Sequence, residues 1–231
     1  MRYCTDVGWF SRTATAQKPG GSTVWAHEIE VTSLNPITAP EGSTNAFCEQ
    51  AYDGLTAFDA KLNIVPALAE SWETPNETTY IFHLRRGVKW HDGTEFTAED
   101  VKYTFDYIIE PKNAVYWRAN FDRVGKVDLL NKNTVKFTMT APYAPLLGAL
   151  AIRKNSAIVQ KGAITRPSTN AQMVGTGPFR QVEYVPGSHM KLARFKDYWG
   201  APMPYIEELT TGRTPAGAVR WASPRRRAPS R

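Results

Sequence analysis

The residue types best suited to chemistry crowd into one stretch, RGVKWHDGTEFTAEDV, residues 86–101. His91 and Asp92 stand side by side, and Glu95, Glu99 and Asp100 follow within nine residues. An imidazole beside a carboxylate is the pairing used in general acid–base hydrolysis. The other parts of such a site are missing from the sequence. There is no G-x-S-x-G nucleophile elbow, and triad members are brought together by a fold rather than by being neighbours in the chain. The four histidines are His27, His83, His91 and His189, and none lies three or four residues from another His or from a Cys. That spacing does not describe a structural metal site. A hydrolase using His91 and Asp92 is therefore the alternative reading of this stretch, and no metal or cofactor is expected.

The flanking sequence gives the same residues a different task. TTYIFHLR, before the stretch, alternates Tyr80, Phe82 and Leu84 with Ile81 and His83, the period of a strand. Asp92-Gly93 is a turn dipeptide. Thr97 stands where a helix N-cap belongs, and Asp100 three residues later is an acidic variant of the capping box. Glu99 and Asp100 fall in the first turn, where the helix dipole favours negative charge. Ala98, Val101, Phe105, Ile108 and Ile109 form one apolar face, and Pro111 ends the helix. The spacing thus predicts a strand end, a turn and a capped helix start, with the charges explained by helix-end electrostatics.

Similar reasoning places the other elements. GGSTVWAHEIEV is a strand with Val24, Ala26 and Ile29 toward a core. A helix follows with Phe47, Ala51 and Leu55 four apart, stopping at Asp53-Gly54. Cys48 in that helix reads as a small buried residue, and with Cys4 it gives neither a disulfide framework nor a metal spacing. FDRVGKVDLLNKNTVKFTM is a hairpin turning at residues 131–133, PYAPLLGALAI a short helix opened by proline, and GTGPFRQVEYVPGSHMKLARFKDYW a hairpin turning at Pro186-Gly187. In GTGP the glycines suit a tight turn and not a phosphate loop, since no Walker lysine follows. The class is mixed α/β, or α+β.

Charge divides the chain. The net charge is +6, but the last twenty residues hold six arginines and no acid, so the remainder is neutral. A neutral body argues against a nucleic-acid partner. Residues 210–231 lack periodicity and are rich in Arg, Pro, Ala and Gly, which predicts a disordered tail. Residues 1–21 read as a leader remnant, also disordered, with no apolar core of signal-peptide length.

Three stretches in order, YDGLTAFDAKLNIVPALAESWE, TYIFHLRRGVKWHDGTEFTAEDVKYTFDYI and VGTGPFRQVEYVPGSHMKLARFKDYWG, resemble the family 5 extracellular solute-binding proteins, the substrate-binding components of peptide/nickel-type ABC importers. The resemblance runs from about residue 22 to about residue 208. It implies a type II periplasmic-binding-protein lobe with an inserted subdomain, the second lobe missing. Residues 22–44 and 175–209 would form the first lobe and residues 45–174 the insert. It also implies a monomeric, non-enzymatic receptor, periplasmic or at the cell surface, handing a peptide or similar small solute to membrane permease subunits, with nickel, haem or sugar as other ligands of the family. Family members are roughly twice this length, which implies an impaired fragment. On the surviving wall, Glu30, Thr32, Ser33 and Asn35 after the first strand are the expected ligand contacts, with Tyr143 and Gly177 near the lobe junction.

Overall fold

A computed structural model describes residues 20–27, 33–39, 42–113, 115–166 and 172–213. Two four-stranded sheets dominate. The antiparallel sheet has the order β4 (Ala69–Asn76), β5 (Thr79–Leu84), β7 (Thr134–Met139), β6 (Val124–Asn131). The other sheet has the order β1 (Ser22–His27), β10 (Glu208–Arg213), β9 (His189–Arg194), β8 (Phe179–Val185). Within it β1 runs parallel to β10, with Ser22 opposite Glu208 and His27 opposite Arg213. A short antiparallel pair, β2 (Thr56–Phe58) and β3 (Ile64–Pro66), stands apart from both.

The antiparallel sheet shows how alternation builds a core. Tyr80, Phe82 and Leu84 are buried on one face with Val135, Phe137, Met139 and Val127. Helix α2 (Ala98–Ile109) lays Ala98, Val101, Phe105 and Ile108 on that face. The Phe105 ring meets Phe137 at 4.9 Å and Phe121 at 5.4 Å, both edge-on, the arrangement aromatic quadrupoles favour. The opposite face is polar, with His83 against Glu73 at 2.7 Å and Lys136 against Asp128 at 3.7 Å. The expected start of α2 is present: the Thr97 amide donates to the Asp100 carboxylate at 2.9 Å. Both predicted hairpins and the proline-opened helix α3 (Leu146–Ala151) are also found. α3 leads into one turn of helix, α4 (Arg153–Ser156).

Two expectations fail. Val24 was expected to face a core, yet it is 70% exposed, while its neighbour Trp25 packs toward Phe47 at 6.4 Å. Trp25 is itself 41% exposed, so neither residue is buried; β1 is an edge strand held by its backbone pairing with β10, where Trp25 lies opposite buried Thr211. The compositional break after Leu209 also misplaced the end of structure. β10 continues to Arg213, its backbone paired on both sides by β1 and β9, which low hydrophobicity does not prevent. Residues 1–19 and 214–231, the rest of the expected leader and tail, lie outside the described residues, as does Ile29.

The helix α1 (Gly42–Ala51) precedes the join between the sheets. Phe47, Cys48, Ala51 and Tyr52 at its end are buried in one continuous core that reaches from Leu34 to Leu209. Replacing Phe105 with Ala should destabilise the chain by about 3–5 kcal/mol in urea unfolding. His83→Ala, on the solvent face of the same sheet, should change stability by no more than about 0.5 kcal/mol.

Candidate functional site

The segment VGTGP, residues 174–178, passes directly against the end of α1. The Gly177 amide donates to the Ala51 carbonyl at 2.9 Å. A Cβ on Gly175 would fall 1.8 Å from the Ala51 carbonyl oxygen, and one on Gly177 would fall 2.6 Å from its carbonyl carbon. Neither glycine has a positive φ. The expectation of a tight turn is thus corrected: these glycines are needed because two backbones touch.

His91 grips the same tripeptide from the other side. The Gly175 amide donates to its Nδ1 at 3.2 Å, its Nε2 donates to the Gly177 carbonyl at 3.0 Å, and its own amide donates to the Gly175 carbonyl at 2.9 Å. One ring nitrogen accepts and the other donates, so the ring is neutral with its proton on Nε2. Burial holds its pKa below the ordinary imidazole value. The ring also meets Phe195 edge-on at 4.9 Å. Asp92 is occupied elsewhere, accepting from the Thr94 amide at 3.0 Å, the Thr94 hydroxyl at 2.6 Å and the Gln160 amide at 2.9 Å. The adjacent pair makes no acid–base dyad. Both side chains fasten backbone.

Sequence reasoning treated Asp53 only as part of a helix stop, and the structure gives it more to do. It is 3% exposed, and its Oδ2 accepts from the Trp199 indole at 2.9 Å and the Thr176 hydroxyl at 3.2 Å. Burial pushes its pKa up, against the opposing pull of Trp199, nearby Arg153 and Thr176. The Arg85 guanidinium lies 4.6 Å from the Trp199 ring centre, and Lys89 pairs with Asp197 at 3.2 Å. Residues 195–199 are therefore docked on the loop that begins at Arg85. DYWG marked this segment as a motif, but no local pattern shows that its indole will meet a carboxylate 146 residues away.

The expected ligand contacts divide. Glu30 and Thr32 lie outside the described residues. The Ser33 hydroxyl accepts from the Asn35 amide at 3.2 Å. Asn35 is 2% exposed, its Oδ1 accepting from the amides of Ile37 and Thr38 at 3.1 and 3.4 Å and its Nδ2 donating to the Ile164 carbonyl at 3.0 Å. This buried side chain shapes its loop. Gly177 lies beneath His91, and α1 links it to the Asn35 loop: the Cys48 thiol, its pKa pushed up by burial, donates to the Leu34 carbonyl at 3.6 Å one turn before Ala51. Tyr143 has a separate setting. Its carbonyl accepts from the Tyr80 hydroxyl at 3.1 Å, and its side chain lines an open depression of about 530 Å³ with Thr74, Glu77 and Pro142. Among the described residues no group of three or more His, Cys, Asp or Glu is placed to hold a metal ion, and no helix is long and apolar enough to cross a membrane.

This combination of mixed sheets and helices is part of a type II periplasmic-binding-protein fold. The family described as bacterial extracellular solute-binding proteins, family 5, middle, matches residues 63–223, and the chain belongs to it. Its members are extracytoplasmic solute-binding components of transport and not enzymes. The dipeptide-binding protein of Escherichia coli K12 is 32% identical over 91% of this chain and 44% of its own length. DppA from Helicobacter pylori, solved with the peptide STSA, superposes with a TM-score of 0.78 at 27% identity, covering 86% of this chain and 44% of that one. AgaA from A. tumefaciens R10, solved with agropinic acid, gives 0.79 at 29% identity, covering 84% and 40%. The chain thus spans less than half the length of these relatives.

Asp53→Ala should cost about 2–4 kcal/mol in urea unfolding, because it orphans a buried indole N–H and a buried hydroxyl, each worth about 1–3 kcal/mol when left unpaired. Asp53→Asn keeps an acceptor and should cost about 1 kcal/mol or less. The pH dependence has a definite sign. A carboxyl whose folded pKa is raised binds more protons folded than unfolded, so its contribution is fully present in acid and is lost as pH rises through the folded value. Wild type should therefore lose stability relative to Asp53→Asn as pH climbs above the ordinary carboxylate range.

Proposed function

We propose that this chain supplies one wall of the solute site of an ABC importer's substrate-binding protein, with a short peptide as the solute. The observation that carries the reading is the family membership, joined to the superposition on a peptide-bound DppA over 86% of the chain. The E. coli dipeptide-binding relative favours the same ligand class. The partner downstream is the membrane permease, the working form is a monomer, and the location is the periplasm or cell surface. In this reading residues 22–44 and 175–213 form one lobe segment and residues 45–174 the insert. The parallel pairing of β1 with β10, which brings the two ends of the first segment together, supports that division.

Ligand contacts on this wall fall to Ser33 and Thr38, the half-buried positions of residues 33–39, and to the face around Trp199, with Glu30 and Thr32 as further candidates. Asn35 and Gly177 act by holding those surfaces in place. The test is a thermal-shift screen of the purified chain against di- to tetrapeptides, nickel, haem and simple sugars. A ligand that binds the folded state raises the melting temperature in proportion to the logarithm of its concentration above Kd. Peptides at millimolar concentration should raise it. A shift with nickel, haem or sugar alone would replace the peptide, and no shift with any of them would overturn binding by this wall.

A further inference from the structure

Three parts of the chain converge on residues 175–177. The Ala51 carbonyl holds the Gly177 amide, the Asp53 carboxylate holds the Thr176 hydroxyl, and His91 holds Gly175 and Gly177 through both ring nitrogens and its own amide. Of these grips, His91's alone needs an uncharged imidazole. Its Nδ1 has to accept from the Gly175 N–H, and a protonated ring has no acceptor left.

We propose that His91 is an acid-sensitive latch: its neutral ring fastens the 175–177 crossing to the turn that follows β5, and protonation unfastens that crossing while leaving the rest of the sheet in place. A proton added at Nδ1 would face the Gly175 N–H, setting two donors against each other. The groups around the ring set how readily this happens. Burial opposes the charged ring most; the Gly177 and Met173 backbone favours it, Arg180 at the start of β8 opposes it, and Asp92 on the ring's own turn favours it. Asp53 approaches the same tripeptide through Thr176. Phe195 covers the ring edge and offers no charge. Lys89 and Asp197 beside it neutralise each other at 3.2 Å. The surroundings thus leave the ring neutral near pH 7, and it takes up a proton only below the ordinary imidazole range. An extracytoplasmic protein meets the pH of its medium directly, so the latch lies where such a change reaches it. The inference concerns the join between the two sheets and does not rest on the identity of the solute.

The experiment uses the whole chain, labelled with ¹⁵N, from pH 7.5 to pH 5. Long-range proton–nitrogen spectra follow the His91 ring, and amide exchange, corrected for its intrinsic pH dependence, follows Gly175. The amide of Leu68, bonded to the Gly54 carbonyl at 3.1 Å, serves as reference. At pH 7.5 the ring should show the Nε2–H tautomer. As it takes up a proton, Gly175 should lose at least tenfold of its protection while Leu68 keeps its own, and the same transition should persist in Asp53→Asn. Any of four results would overturn the latch: a ring still neutral at pH 5, a protonated ring with Gly175 still protected, equal loss at Leu68, or disappearance of the transition in Asp53→Asn.

Discussion

The contact on which the rest of this structure depends is made by backbone alone. Residues 175–177 lie against the end of α1 so closely that a single methyl group at Gly175 would overlap the Ala51 carbonyl. A backbone-to-backbone contact has no rotamers to adjust, so it fixes position more tightly than side-chain packing does. That fixes the entry of β8, and through β8 the sheet that ends in β1. The same contact places the Thr176 hydroxyl within reach of Asp53 and aims two peptide groups at His91. Substituting either glycine would disturb the carboxylate, the imidazole and the strand entry together.

Placing polar groups at such a junction is costly unless each finds a partner. The partners here are arranged by type. Asp53 receives one donor from the crossing, the Thr176 hydroxyl, and one from the Trp199 indole, and feels Arg153 nearby, which limits the penalty of its burial without cancelling it. His91 stays neutral and spends one nitrogen as acceptor and the other as donor. Trp199 uses both of its characters, the indole N–H toward Asp53 and the ring face toward Arg85. A residue set that resembles an acid–base site is in fact occupied by structural bonds.

What was legible in the sequence follows from how local each cause is. Helix α2 could be read because its cap, its first-turn acids and its apolar face lie within a dozen residues of one another. β5 and the two hairpins could be read because alternation and turn dipeptides are local as well. Val24 could not, since β1 is an edge strand set by its pairing with β10, which arrives almost two hundred residues later. Residues 210–213 were misjudged for the same reason: their order comes from neighbours on both sides, which composition does not register. Asn35 was legible as a residue of consequence in a loop. Its local bonds to the Ile37 and Thr38 amides are of the kind a loop asparagine makes; its bond to the Ile164 carbonyl, 129 positions on, has no local signal.

The stretch from residue 86 to residue 101 shows why a run of charges is poor testimony for catalysis. Its acidic groups and its histidine reach three distant segments. Glu95 pairs with Lys132 in the β6–β7 turn, Glu99 with Lys161, and Asp100 takes the Lys161 amide at 2.8 Å; Asp92 takes the Gln160 side chain and His91 takes residues 175 and 177. The exposed ion pairs among these add little to stability, because water and salt screen them. The partly buried hydrogen bonds, Asp100 to the Lys161 amide and His91 to Gly175, matter more, since removing one partner strands the other. Charges that acted together on a substrate would point at one place. These point outward to three, so the stretch is a hub where the β6–β7 hairpin, the segment around residue 160 and the crossing at residues 175–177 are tied together.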